Sequence, residues 1–402
     1  MNIAVFAKRT TIHNGHGGLE TQNKALVEGL VKKGHSVTLF SPKWEIVNDI
    51  AIENNVNYVF VDCVYRMGPV FGFFGTLQKN NWINRSVEEF AKIHSKQKFD
   101  VALGQSSTAL GVIKRKAELG IKIISVSHGT IIGEYKSFLA GMELPKDVVS
   151  FVKNTGFTLK NFFRRQRDFV HGSDKVICVS NYVKKALIEE TFAEDAKFVV
   201  IHNGIEPELF KNLNTNTRRG AKGLFVGRII KDKGVDVLVE MFKDKSFEGY
   251  SIDIVGDGEY FIELRQLINN TRNLKDRVNL VGKIQYDDVL NNYFMNKEYG
   301  VFLLPTERVE GFPMVLVEAL FSGLPIVAYD IGGVSDAVEN EKTGYLVKLN
   351  DLETFKEKVL NVIKDTNLKN KLSQNCLQKA KNEFTLEIMI NSYEKIIKEV
   401  LA

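Results

Sequence analysis

Short apolar runs alternate with longer stretches of helical periodicity along nearly the whole chain. Ile3–Ala7 predicts a strand, Thr10–Gly18 a polar glycine-rich loop, Leu19–Lys33 an amphipathic helix, and Ser36–Phe40 a second strand after Gly34 and His35. That order is a βα unit followed by its parallel partner. Val56–Asp62, Phe99–Leu103 and Ile121–Val126 predict further strands, with a helical stretch Ser107–Glu118 between the last two. Strand Lys175–Val179, helix Tyr182–Glu190 and strand Phe198–Ile201 close a first domain over 1–205. Residues 206–222 are polar and aperiodic, as a linker should be. The alternation restarts over 223–383 with strands Gly223–Val226, Ser251–Val255, Arg277–Val281, Val301–Leu304, Ile326–Tyr329 and Gly344–Val347, and a helix Val235–Phe242 after the first. From Asp351 the chain is helical and rich in lysine. The pattern predicts an α/β protein of two doubly wound, Rossmann-like domains facing across a cleft.

Length agrees, because 402 residues exceed one core of ordinary size. With 44% hydrophobic and 26% charged residues the composition is that of a soluble globular protein. A net charge of +5 falls short of the basic balance of a nucleic-acid binder, so no nucleic-acid partner is expected. Cys63, Cys178 and Cys376 are widely spaced and form no CxxC pair, which speaks against a disulfide framework or thiolate zinc and for a reducing cytoplasm. The opening MNIAVFAKRT is too short for the apolar core of a signal peptide, and Met67–Gln78 is too short for a membrane span.

The chemistry is expected between Leu304 and Ala328. Pro305 with Glu307, Arg308 and Glu310 ends a strand and carries the chain across a sheet edge. Pro313 is expected at the first helical position, leaving the N–H groups of Met314 and Val315 free to meet a phosphate. Glu318 lies on that helix and Glu310 in the loop before it, with seven residues between them, which suits a ligand with hydroxyls on both sides of a diphosphate. Arg228 and Lys233 flank another strand-to-helix crossing, where both could reach one diphosphate or simply be surface cations. His128 follows a parallel strand at the end where open α/β sheets bind ligands, or is a histidine hydrogen-bonded in a loop. In HNGHGGLE, Gly15, Gly17 and Gly18 stand where backbone must approach a ligand or take positive φ, although Glu20 replaces the third glycine of a GxGxxG fingerprint.

The Glu310-to-Glu318 spacing, with Gly311 and Phe312 after the first glutamate, resembles the E-x7-E signature of retaining glycosyltransferases of family 4, which have the two-domain GT-B fold. Further elements agree in order: Gly17-Gly18-x-Glu20, Asn203-Gly204, Gly227-Arg228 with Lys233-Gly234, Gly256-Asp257-Gly258-Glu259, and Gly332-Gly333. The resemblance runs from Gly17 to about Val347 and skips Asp62–Asn84 and Gly133–Gly172, which lie where such enzymes vary with acceptor. It implies a hexosyltransferase that moves a sugar from a UDP- or GDP-sugar to a glycan or lipid-linked acceptor in cell-surface polysaccharide or glycoconjugate synthesis. It assigns Arg228 and Lys233 to the leaving diphosphate, Glu318 to the ribose, Glu310 to the sugar hydroxyls and His128 to the sugar from the other domain. Gly17, Gly18, Gly311, Phe312, Pro313, Met314 and Val315 would border the donor, and the backbone of Gly282, Lys283 and Ile284 would meet the base. It also implies that the last helix, 384–402, packs back on the first domain. No cofactor or metal is expected, since no Asp-x-Asp triplet occurs. The rival readings are a nucleotide-sugar epimerase of the same fold, an inverting transferase with His16 as base, and a non-catalytic nucleotide-sugar-binding protein.

One segment stands apart. In 151–170, Val152, Leu159, Phe163 and Val170 fall on one helical stripe, and Lys153, Lys160, Arg164 and Arg167 on a neighbouring one. Five cations against Asp168 alone make this a basic amphipathic helix, which lies either on the inner face of the cytoplasmic membrane or with its aromatics packed on the sheet.

Overall fold

A computed structural model of the protein describes residues 1–13, 17–46, 48–63, 81–142, 148–213 and 220–402. Among them, eight strands form one sheet: β1 (Asn2–Phe6), β2 (Ser36–Pro42), β3 (Ile50–Glu53), β4 (Val56–Val61), β5 (Val101–Gln105), β6 (Lys122–Ser127), β7 (Lys175–Cys178) and β8 (Phe198–Val200). Its order is β3-β4-β2-β1-β5-β6-β7-β8, parallel except for β3, an antiparallel edge strand whose alternation is too short and too exposed to be read from sequence. A second sheet holds β9 (Lys222–Val226), β10 (Ile252–Val255), β11 (Val278–Gly282), β12 (Tyr299–Leu304), β13 (Ile326–Tyr329) and β14 (Gly344–Val347), in the order β11-β10-β9-β12-β13-β14 and parallel throughout. In each sheet the order reverses at a switch point, β1/β5 in the first and β9/β12 in the second. Ligands of open α/β sheets bind at such points, beyond the carboxyl ends of the strands.

The first unit comprises Met1–Tyr135, Glu143–Gly204 and Leu386–Ala402. One face of its sheet buries Val5, Leu39 and Leu103 under helices Gly18–Lys32 and Leu386–Leu401, which supply Leu26, Leu30, Met389, Ile390 and Tyr393. A Cβ added at Gly29 would stand 2.5 Å from Ile390 Cδ1, so the two helices touch through a position that takes no larger residue. The other face packs on helix Trp82–Lys96, where Phe6, Phe40, Phe90 and Phe99 form one aromatic cluster with centroids 4.9–6.0 Å apart. The stretch Ser107–Glu118 is two short helices, Leu110–Lys114 and Lys116–Leu119, that meet at Arg115.

The second unit comprises Lys136–Met142 and Ile205–Thr385. Two domain limits read from sequence therefore move. Lys136–Met142 leaves the first domain, because the Ser137 hydroxyl accepts the Val309 N–H at 2.9 Å. The linker is structured at its start, where a 3₁₀ turn Pro207–Phe210 buries Phe210 against Phe321 at 5.5 Å, and residues 214–219 lie outside the described set.

The single stripe expected over 151–170 does not form. Helix Val148–Asn161 passes into a π turn, Phe162–Gln166, before helix Arg167–Gly172. A π turn closes i→i+5 instead of i→i+4 and so rotates everything after it. Val152, Leu159 and Phe163 are exposed, whereas Val170 is fully buried. The buried Gln166 amide anchors the turn, accepting from Ile131 N–H at 2.8 Å and donating to Glu190 Oε2 at 2.6 Å. The Lys160 side chain lies outside the described residues.

Candidate functional site

In the second unit the loops after β9 and β12 are sewn together. The Asp232 carbonyl accepts from the backbone N–H groups of Glu307 and Arg308, each at 2.9 Å, and from the Thr306 hydroxyl at 3.2 Å. Its carboxylate pairs with Arg308 at 2.9 Å. Gly234, at φ +67°, closes the same turn, and a Cβ there would lie 1.9 Å from the Pro305 carbonyl oxygen, so only glycine fits. The consequence is that Lys233 Nζ reaches Glu310 Oε1 at 2.5 Å, both side chains being about 15% exposed. Glu310 is held from the other side as well. Its carbonyl accepts the Gly333 N–H at 2.7 Å, and Gly332 turns there at φ +61°. Lys233, expected at the diphosphate, and Glu310, expected at the sugar hydroxyls, thus stand side by side although 77 residues apart in sequence. Arg228, on the same β9 loop, is exposed.

Helix Met314–Phe321 starts one residue later than expected. Pro313 takes an extended ψ of 114° and occupies the N-cap instead of the first helical turn, and its carbonyl accepts the Leu316 N–H at 3.1 Å. Met314 and Val315 keep N–H groups without intrahelical acceptors, as any helix start does. Phe312 is buried against Phe384 at 5.5 Å, so its side chain supports the loop. Glu318, 6% exposed, accepts a hydrogen bond from the Tyr286 hydroxyl at 3.0 Å. Burial pushes its carboxyl up to about 7, partly offset by that hydrogen bond. Tyr286 was not singled out in the sequence, although it lies two residues past the Gly282-Lys283-Ile284 stretch, where Gly282 turns at φ +95° and Lys283 is exposed. The ring of Tyr286 is exposed while its hydroxyl is tied to Glu318.

In the first unit, His13 fixes the loop after β1. Its Nδ1 accepts the Thr10 N–H at 3.0 Å, and its Nε2 therefore carries the proton donated to the Pro42 carbonyl at 3.0 Å. Nothing in the sequence set His13 apart from the loop around it. Gly15 and His16 lie outside the described residues. Gly17 has φ −137°, and its N–H donates to Glu20 Oε2 at 2.9 Å, so the positive φ expected of this loop is absent at Gly17. Among the described residues, a Cβ on Gly18 would meet no atom within 4 Å beyond its chain neighbours. His128 follows β6, its Nε2 lying 2.7 Å from Gln105 Oε1, and burial pushes its imidazole down to about 4. It is neutral at physiological pH. Among the described residues no cluster of metal-ligating side chains occurs, and no helix is long and apolar enough to cross a membrane.

Residues 16–209 match the model of Glycosyltransferase Family 4, and residues 207–379 that of Glycosyl transferases group 1. The UDP-Gal:alpha-D-GlcNAc-diphosphoundecaprenol alpha-1,3-galactosyltransferase of Escherichia coli is 30% identical over 305 residues, 70% of this chain and 76% of that protein. An uncharacterized glycosyltransferase of Methanocaldococcus jannaschii is 31% identical over 245 residues, 60% of this chain and 65% of that protein, so the match spans just under two thirds of that relative. Among solved structures, the sucrose-phosphate synthase of Thermosynechococcus elongatus superposes with a TM-score of 0.76 at 19% identity, covering 99% of this chain and 98% of that one. The fold is thus that of GT-B glycosyltransferases.

The buried Glu318 carboxyl gives a test on the unliganded protein. Its folded value near 7 lies above the ordinary 4.5, so the native state holds an extra proton between those values. Stability should therefore fall as pH rises through that window and level off above it. Glu318→Gln, which still accepts from Tyr286, removes this dependence. From pH 5 to pH 8 wild type should lose about 2–3 kcal/mol more than the variant, at roughly 1.4 kcal/mol per pKa unit, measured by urea unfolding. Parallel losses in the two proteins would mean that the carboxyl titrates normally.

Proposed function

The chain belongs to glycosyltransferase family 4, and from that premise we propose that it transfers a hexose from a UDP-linked donor to a lipid-linked acceptor, with retention of anomeric configuration. The observation that carries this reading is the Lys233–Glu310 pair at a switch point, with the helix bearing buried Glu318 directly after it. The Escherichia coli relative, named for a UDP-galactose donor and a diphosphoundecaprenol acceptor, supports the choice of donor and acceptor class.

In the proposed reaction the bond from the sugar C1 to the diphosphate oxygen breaks, and the oxygen leaves with the electron pair. The acceptor hydroxyl oxygen bonds to C1 on the same face, and its proton passes to the departing diphosphate. Arg228 and Lys233 stabilise the charge that builds up on the leaving group, the kind of term that dominates such chemistry. Lys233 exchanges part of its attraction to Glu310 for the phosphate, and Glu310 then receives the sugar hydroxyls. Glu318 accepts from the ribose, and His128 contacts the sugar. The N–H groups of Met314 and Val315 and the two cations take the diphosphate charge in place of a divalent metal.

Glu310→Gln should lose most of its turnover with a smaller change in UDP affinity, whereas Glu318→Ala should weaken UDP binding itself. Steady-state kinetics and calorimetry separate the two. Equal, mild effects would make both surface carboxylates. In the same assay EDTA should leave the rate unchanged, and loss of activity restored by magnesium or manganese would reverse the metal-free assignment.

The helix Val148–Asn161 and its π turn are proposed to rest on an anionic bilayer. Val152, Leu159 and Phe163 are 55%, 55% and 61% exposed, and Lys153, Arg164 and Arg165 are exposed beside them. Each such cation adds roughly 1 kcal/mol near an anionic surface. Wild type should sediment with phosphatidylglycerol vesicles and be released by salt, while Lys153→Glu/Arg164→Glu/Arg165→Glu should stay in the supernatant. Equal recovery of both proteins in the supernatant would remove the membrane from the account.

A further inference from the structure

Gln105 ends β5, the strand beside β1 at the switch point of the first sheet, and His128 follows β6. Gln105 pairs in register with Val126, and side chains two apart on a strand share a face, so Gln105 and His128 project on the same side. Ser106, at φ +55°, turns the chain away and donates its N–H to the Val126 carbonyl at 2.7 Å, which ties the two strand ends together. The Gln105 side chain is held there with 3% exposure, its Oε1 lying 2.7 Å from His128 Nε2. Its amide Nε2 is buried and has no partner among the described residues.

A carboxamide oxygen only accepts, so His128 Nε2 carries the ring proton and Nδ1 is left with a lone pair. A buried donor without a partner costs roughly 1–3 kcal/mol, and an apolar residue of similar shape would avoid that cost. The carboxamide is therefore held here for its oxygen, which satisfies the buried ring N–H and so fixes the imidazole, while its own N–H is left over. We propose that Gln105 is a positioning residue that holds His128 as its Nε2–H tautomer, so that Nδ1 accepts a hydrogen bond from a hydroxyl of the donor sugar. This rests on the reading above, in which His128 meets that sugar.

The test uses the full chain labelled with ¹⁵N-histidine, and UDP-hexose turnover beside it. The His128 signals, identified by their loss in His128→Ala, should have the pattern of an Nε2–H ring in wild type. In Gln105→Leu that preference should be lost, and kcat should fall about tenfold to a hundredfold with donor KM within about twofold, the scale expected when a reacting group is misplaced. Gln105→Glu, which also only accepts, should keep the Nε2–H pattern at alkaline pH and retain more turnover than the leucine variant. It carries the test if Gln105→Leu does not fold. Three results would overturn the assignment. An unchanged imidazole pattern and kcat in Gln105→Leu, with His128→Ala inactive, would reduce Gln105 to packing. Reversal to the Nδ1–H pattern in Gln105→Glu would mean that the native amide donates to the ring. Wild-type transfer by His128→Ala would remove His128 from the sugar, and the role of Gln105 with it.

Discussion

Asp232 does two things at once in the second unit, and the site there depends on both. Its carbonyl collects two backbone N–H groups and a hydroxyl from the loop after β12, and its carboxylate takes the Arg308 guanidinium from the same loop. The bond from Arg308 involves two charged groups, a class worth about 1.5–3 kcal/mol, and the three to the carbonyl are ordinary ones acting on the same residue. The next residue is Lys233, so these bonds fix the backbone from which its side chain springs, and Glu310 then holds the ammonium. Pre-setting an ammonium in this way lowers the ordering cost of any anion it binds.

The two glutamates on either side of the helix start live in different surroundings. Glu310 has a cation beside it and a backbone clamped by Gly333. Glu318 has only a tyrosine hydroxyl to satisfy it, and burial raises its proton affinity. Two carboxyl groups with seven residues between them are thus set in different environments, one beside a cation and one buried against a phenol. Tyr286 supplies the second with a hydroxyl donor.

Most of this was legible in the sequence where a rule of geometry forced it. Short continuous apolar runs, glycines at sheet ends and the Glu310-to-Glu318 spacing marked strands, turns and the helix start, because each needs a particular residue type locally. Contacts between distant residues were not legible. Nothing near Gln105 announces His128, and nothing near Tyr286 announces Glu318, since both pairs are made by sheet register and loop closure across 23 and 32 residues. The π turn at Phe162–Gln166 escaped for a related reason. An i,i+4 pattern assumes an unbroken helix, and what breaks this one is a side chain, Gln166, bonded to residues far along the chain.

The helix Leu386–Leu401 supplies part of the core of the first unit, against residues such as Gly29 that lie about 360 positions earlier. The second unit, by contrast, draws almost all its residues from the continuous stretch Ile205–Thr385. During synthesis, then, the later half is the first to have nearly every contact it needs, and the earlier half must wait on the ribosome with one face of its sheet lacking the helix that covers it. Exposed apolar strands held open for that long are what chaperones bind. Production of this protein should accordingly be limited less by its final stability than by how well the cell shelters an unfinished amino-terminal sheet.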